Sequence, residues 1–156
     1  MTYIWGAVSA ANRDECHAVL KNVLDSYIKI VPFDCSIICG WRSKEIQNEL
    51  FKIGRSKVEW PNSKHNKTDL DGNPESWAVD MIPYRLNGQT DIPWKDPMPW
   101  AVMHGAMCSA ATLNNIKAKG FTLRWGGDWD SDWTWKDQSF HDRGHWELKR
   151  IEQNGT

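Results

Sequence analysis

Phe140-His-Asp-Arg-Gly-His-Trp-Glu-Leu148 sets two histidines, two carboxylates and an arginine within nine residues. Two backbone geometries suit it. On a helix, His141 and His145 stand at i and i+4 on one face, the spacing of a His-Glu-x-x-His zinc motif. Gly144 weakens a helix, and little chain remains beyond Trp146. As a strand, Phe140 to Lys149 turns His145 and Glu147 to one face, Trp146 and Leu148 to the other. We read a strand, which makes His145 the better ligand and directs the search for its partners upstream.

Working outward, Phe121–Trp125 reads as another strand. Gly126-Gly127 ends it, and an acidic, tryptophan-rich loop follows from Asp128 to Asp137. Trp100–Lys119 carries helical periodicity, with Val102, Ala106, Ala110, Leu113 and Ile116 on one face and Gly120 closing it. Ser76–Ile82 predicts a strand stopped by Pro83. Ser43 caps a helix from Lys44 to Ile53, with Ile46, Leu50 and Phe51 inward and Gly54 as its stop. Asp34–Cys39 is a short apolar strand, and Ser9 to Tyr27 repeats as a helix. Two long polar connections remain, Arg55–Glu75 and Tyr84–Pro99, and loops of that length in a compact domain usually carry function or move. Helices between short strands predict an α+β domain over residues 1–156. A small, mainly antiparallel sheet would carry flanking helices and long active-site loops.

Composition narrows the function classes. A formal net charge of −1 on 156 residues excludes broad electrostatic attraction to nucleic acid or an anionic membrane. No stretch approaches a transmembrane span, and the N-terminal residues lack a signal peptide's basic start and apolar run. The expected location is therefore the cytoplasm, and the expected state a monomer. Eleven tryptophans stand out; they suit a core as well as a groove, and Trp41, Trp77, Trp129 and Trp146 would wall such a groove. Of the four cysteines (Cys16, Cys35, Cys39, Cys108), Cys35 and Cys39 read as buried small hydrophobes.

A hydrolytic zinc takes three histidine or carboxylate ligands and leaves a fourth position to water. His65 in the long loop and Asp80 at the end of an apolar strand each have a dull explanation alone, as solvated loop and capping group. With His145 they make a His/Asp/His set. Asp142, three residues before His145, suits proton transfer beside such a site; its bland alternative is a turn pairing with Arg143. Arg42, where a strand gives way to a helix, suits a carboxylate or oxyanion, or else a surface salt bridge with Glu45. His17 and His104 lie in helical stretches and are poorer candidates; His141 is the one substitute ligand, and as a strand residue it would share the face of Arg143 and His145, behind the ligands or toward substrate. Asp128, Asp130 and Asp132, with Asp137 beyond, alternate like the start of a calcium loop. The turn glycine and closing glutamate are missing, so a solvated acidic loop is the first reading and Ca2+ the second. Asp69-Leu-Asp-Gly-Asn73 is a weaker case of the same pattern.

Four motifs in order carry a resemblance. Cys39-Gly-Trp-Arg-Ser-Lys-Glu-Ile-Gln47, Ser63-Lys-His65 followed by Ala78-Val-Asp80, Trp125-Gly-Gly-Asp128-Trp129, and Asp142-Arg-Gly-His145-Trp-Glu are similar to elements of the zinc peptidases that cleave peptidoglycan stem peptides. These comprise VanY-like D-alanyl-D-alanine carboxypeptidases and bacteriophage L-alanyl-D-glutamate endopeptidases. The resemblance implies His65, Asp80 and His145 as zinc ligands, Asp142 as general base and acid, and Arg42 as oxyanion stabiliser or carboxylate clamp. One departure is the gap of fifteen positions from His65 to Asp80, longer than the family's, with Lys67–Glu75 resembling an insertion.

The expectation is a zinc endolysin that cuts the L-alanyl-D-glutamate bond and reaches the wall after release by a separate membrane-permeabilising protein. A separate wall-binding domain is not expected, which the resemblance associates with thin Gram-negative walls. The alternatives are a D-alanyl-D-alanine carboxypeptidase and a non-catalytic wall-binding module with a structural zinc.

Overall fold

The computed structural model describes residues 2–84, 88 and 90–152. Among them, four strands form one sheet: β1 (Cys35–Cys39), β2 (Ala78–Pro83), β3 (Phe121–Trp125) and β4 (His145–Arg150). Their order is β1-β2-β4-β3, and every neighbouring pair is antiparallel. The α+β expectation holds.

Alternation along β4 divides the sheet into two faces. Trp146 and Leu148 are fully buried on one, where helices α2 (Ala18–Ile30) and α4 (Pro97–Leu113) pack against each other. Leu20, Val23, Leu24 and Tyr27 of α2 join Trp100, Met103, Met107 and Ala110 of α4 in one core with Ile37, Val79, Met81, Trp146 and Leu148. Burying each large apolar side chain contributes about 1.5–3 kcal/mol, which pins β4 in this orientation. The other face receives the polar residues. Asp80 pairs with His145 across β2 and β4, and Arg124 pairs with Glu147 across β3 and β4.

Helix α1 (Ala7–Asp14) closes the β1 edge. Ser9 Oγ accepts the Ile37 N–H at 3.0 Å, and Asn12 Nδ2 donates to the Ile37 carbonyl at 2.9 Å, occupying backbone groups that an edge strand leaves open. Just beyond, a Cβ on Gly40 would lie 2.1 Å from the Asn12 carbonyl oxygen. Only glycine permits that approach.

Several expected boundaries move. The helix expected from Ser9 to Tyr27 is two helices, because Glu15 to His17 run beside Ser76. The His17 N–H donates to the Ser76 carbonyl and the Ser76 N–H to the Glu15 carbonyl, both at 2.8 Å. The apolar repeat belongs to α2 alone (Leu20, Val23, Leu24, Tyr27), whereas α1 buries Ser9 and leaves Val8 exposed. His17 is then the N-cap of α2, its Nδ1 accepting the Val19 N–H at 3.1 Å. Helix α3 (Lys44–Lys52) starts after the Ser43 cap as expected, but Ile46 and Phe51 are exposed. Its buried residue is Gln47, whose amide bonds Arg42, Ser56 and Val58. Helix α4 begins at Pro97 behind an Asp96 cap and ends at Leu113. Its buried face lies one step round from the expected one, leaving Val102 and Leu113 exposed. Strand β4 begins at His145, not Phe140, and the preceding turn is closed by the His145 N–H on the Asp142 carbonyl at 3.0 Å. Part of the expected Tyr84–Pro99 connection (85–87 and 89) and the end of the polar tail (153–156) lie outside the described residues.

Two predictions follow from this packing. Gly40→Ala should lower the unfolding free energy by about 1–3 kcal/mol in denaturant titration, the usual cost of overpacking; an unchanged midpoint would contradict the close approach. His104, on α4, stacks on Trp125 at 4.6 Å between ring centroids, and burial pushes its pKa down to about 4. The unfolded chain therefore takes up this proton first as pH falls, and stability is lost from about pH 6.5 downward, on the order of 3 kcal/mol by pH 4. His104→Gln should flatten that part of the pH profile relative to wild type, and parallel profiles would contradict the assignment.

Candidate metal centre

The polar sheet face is completed by a loop brought across it. His65 lies in a single 3₁₀ turn, Lys64–Asn66, capped by Ser63. The Ser63 Oγ accepts the His65 N–H at 3.2 Å and Asn66 Oδ1 accepts the Ser63 N–H at 3.2 Å. Asn66 Nδ2 donates to the Arg42 carbonyl, and the Arg42 N–H to the His65 carbonyl, each at 2.9 Å. The turn is thereby laced to the corner between β1 and α3. The long gap to Asp80 is also explained. The Glu75 N–H donates to the Lys67 carbonyl at 3.0 Å and Thr68 bridges Pro74, so the intervening residues leave and return at nearly one point.

Three donor atoms converge. Asp80 Oδ1 lies 3.2 Å from His65 Nε2 and 3.0 Å from His145 Nδ1, and the two nitrogens are 3.3 Å apart. Ligand atoms held tetrahedrally about 2.0–2.1 Å from one zinc ion stand about 3.3 Å from each other. Two imidazoles and one carboxylate also form a donor set typical of an open zinc site. The residues fit the metal.

Outer partners set the imidazole protons. His65 Nδ1 meets the Gly40 carbonyl at 2.6 Å. A carbonyl only accepts, so Nδ1 carries a hydrogen, and Nε2 is the nitrogen turned toward Asp80 and available to a metal. His145 Nε2 lies 2.9 Å from Glu147 Oε2, leaving Nδ1 toward Asp80. Arg42 Nη2 donates to Asp80 Oδ2 at 3.1 Å and Nη1 to Gln47 Oε1 at 3.0 Å. The arginine is therefore held against the central carboxylate rather than against Glu45.

Electrostatics follow from burial and proximity. Burial disfavours a charged His65, yet Asp80 outweighs it and raises the pKa to about 10. His145 is raised as well, burial again opposing and Asp80 and Glu147 prevailing. Burial works against ionised Asp80, but the two histidines hold it well below the usual carboxylate range.

Asp142 is drawn in by the glycine pair. Its N–H donates to the Gly126 carbonyl at 2.7 Å, and a Cβ on Gly126 would lie 2.3 Å from the Asp142 carbonyl oxygen. Its carboxylate, Asp80 and His145 offer ligand atoms within 4.8 Å of one another. Burial, with Asp80 adding to it, raises the Asp142 pKa; His145, His65 and Arg42 pull the other way.

Other expected features fall elsewhere. His141 is exposed and precedes β4, its ring 6.3 Å from Trp135, so it does not share the face of His145. Trp129 does cover the site, 5.5 Å from the His145 ring. Trp146 lies in the core on the opposite face, and Trp77 packs on Phe121 and His17. Cys39 is only half-buried, its Sγ 3.8 Å from His65 Nδ1 and 3.7 Å from Arg42 Nη2, where the strand bulges before the corner. In the acidic loop, Asp128 accepts the backbone N–H groups of Ser131, Asp132 and Trp133. Asp130 accepts from Gln138, and Asp132 from Thr134. These oxygens approach one another, but they are engaged in shaping the loop, and nothing supports calcium there. Asp69 likewise accepts from Asp71 and Asn73 to close its own turn.

Sequence reasoning attached no role to Glu147 or Gln47. The signal for Glu147 was present, since period-two alternation puts it on the face of His145.

The family model for phage L-alanyl-D-glutamate peptidase matches residues 1–149. A curated relative, the L-alanyl-D-glutamate peptidase of Escherichia phage T5, is 27% identical over 152 residues, covering 95% of this chain and 99% of that protein. The crystal structure of the Serratia marcescens L-Ala D-Glu endopeptidase ChiX superposes with a TM-score of 0.68 at 22% identity, covering 95% of this chain and 91% of that one; it shows a shared fold. With His65, Asp80, Asp142 and His145 brought together and a family match over nearly the whole length, the chain belongs to the phage L-alanyl-D-glutamate peptidase family.

Proposed function

We propose that this protein is a zinc-dependent peptidoglycan peptidase, an endolysin that hydrolyses the L-alanyl-D-glutamate bond of the stem peptide. The observation that carries this reading is the convergence of His65 Nε2, His145 Nδ1 and Asp80 Oδ1 within 3.0–3.3 Å of one another, beside a carboxylate with a raised pKa. These three residues hold the metal. Bound there, zinc supplies Lewis acidity toward the scissile carbonyl and a water acidified to a pKa of about 7.

Asp142 takes the proton from the attacking water and delivers it to the leaving amine; a pKa raised by burial suits both steps. Arg42 fixes Asp80 through Oδ2 and brings a permanent positive charge to the edge of the site, where it steadies negative charge developing on the substrate. Trp129 covers the imidazole of His145 and helps exclude water. The described chain acts as one catalytic unit and as a monomer. It accumulates in the host cytoplasm and meets the wall after release by a separate protein. Among the described residues no helix is long and apolar enough to cross a membrane.

The test is mass spectrometry of purified peptidoglycan fragments, with zinc and after chelation. New N-terminal D-glutamate that disappears on chelation is expected. Release of terminal D-alanine would move the assignment to a carboxypeptidase, and no zinc-dependent product would favour a binding module. Asp142→Asn should lower kcat by about 10²- to 10⁴-fold, the usual contribution of general acid–base catalysis, while zinc content stays at one ion per chain. Unchanged turnover in that variant would remove Asp142 from the mechanism.

A further inference from the structure

Glu147 makes contacts that the proposed reaction does not call for. It is 4% exposed and sits two residues along β4 from His145, on the same sheet face. Its Oε2 accepts from His145 Nε2 at 2.9 Å. Its Oε1 accepts from Arg124 Nε at 2.9 Å and also from Arg124 Nη2. Arg124 is delivered by β3, where it pairs directly with Glu147. A guanidinium gripping one oxygen through two N–H groups fixes the plane of the carboxylate and leaves Oε2 facing His145.

We propose that Glu147 is the positioning residue that decides which nitrogen of His145 faces the metal, with Arg124 as its clamp. A neutral imidazole carries one hydrogen, on Nδ1 or Nε2. Glu147 Oε2 faces Nε2 at 2.9 Å as the acceptor, which directs the ring's hydrogen to Nε2 and turns Nδ1 toward Asp80 and His65. Burial leaves no water to take that hydrogen bond instead. The ring is held from a second side as well, since Trp129 lies 5.5 Å from the His145 ring. The Arg124 guanidinium rests 5.2 Å from the centre of the Trp129 ring. His145, Glu147, Arg124 and Trp129 thus form a closed circuit joining the acidic loop, β3 and β4 around one ligand. Outer carboxylates of this kind orient ligand histidines and raise their basicity, and losing one costs about 10–100-fold in metal affinity.

The inference rests on the zinc-site reading above, and its test separates the two. In zinc-loaded wild-type protein with ¹⁵N-labelled histidine, NMR should show His145 protonated on Nε2 and metal-bound through Nδ1. Zinc bound through Nε2 would overturn the inference and leave the metal site standing. Absence of zinc from the wild-type site would overturn both. Chelator competition should show zinc held about 10–100-fold more weakly by Glu147→Ala. A smaller loss is expected for Glu147→Gln, whose amide oxygen still accepts from Nε2. Arg124 is about one-third exposed and turns to solvent in either variant, so circular dichroism of the metal-free proteins should match wild type. A folded Glu147→Ala with wild-type zinc affinity would overturn the role, and if neither variant folds, the wild-type NMR result decides.

Discussion

The structure depends on the register between β2 and β4. Asp80 stands opposite His145, with Val79 opposite Trp146. A slip of one residue would turn Trp146 and Leu148 to the polar face and drive His145 and Glu147 into the apolar core. Burial of large apolar side chains beneath the sheet therefore also sets the positions of the polar ones above it. The central strand anchors the fold and orders the site through the same alternation.

A second constraint is the compensation of buried polar groups. His65, His145 and Glu147 are all nearly removed from solvent, which is costly without partners. Each has them. The Gly40 carbonyl serves His65, Arg42 serves Asp80, and Arg124 serves Glu147. Gln47, the buried residue of α3, orients Arg42 in turn. With those partners fixed, His65 Nε2, His145 Nδ1 and Asp80 Oδ1 all face one point. Preorganisation of this kind is what a metal site requires of its protein.

Much of this was legible in the residues. The period-two pattern after Gly144 reads directly as a strand with His145 and Glu147 on one side, because β4 is buried on both faces by different chemistries. His65, Asp80 and His145 were read together from residue type and motif order, and they do meet despite the long His65–Asp80 gap, since the excursion between Lys67 and Glu75 closes on itself. Long-range contacts were less legible. Nothing local shows that Glu15 to His17 would run beside Ser76 and break a helix. Nor does local pattern show that α3 would bury an amide rather than Ile46 and Phe51. Cys39 looked like core because its neighbours are apolar, yet the bulge before Gly40 carries it to the site. In the acidic loop the alternating aspartates resembled ion ligands, whereas their oxygens serve the loop's own backbone and side-chain donors.

In the proposed function His65, Asp80 and His145 hold a single zinc ion. Zinc X-ray absorption spectroscopy of the loaded protein tests it most directly. A first shell of nitrogen and oxygen at about 2.0–2.1 Å with the multiple-scattering pattern of two imidazoles, and no sulfur, is expected. A sulfur shell at about 2.3 Å, placing Cys39 on the metal, or a shell without imidazole, placing the ion in the acidic loop, would contradict it.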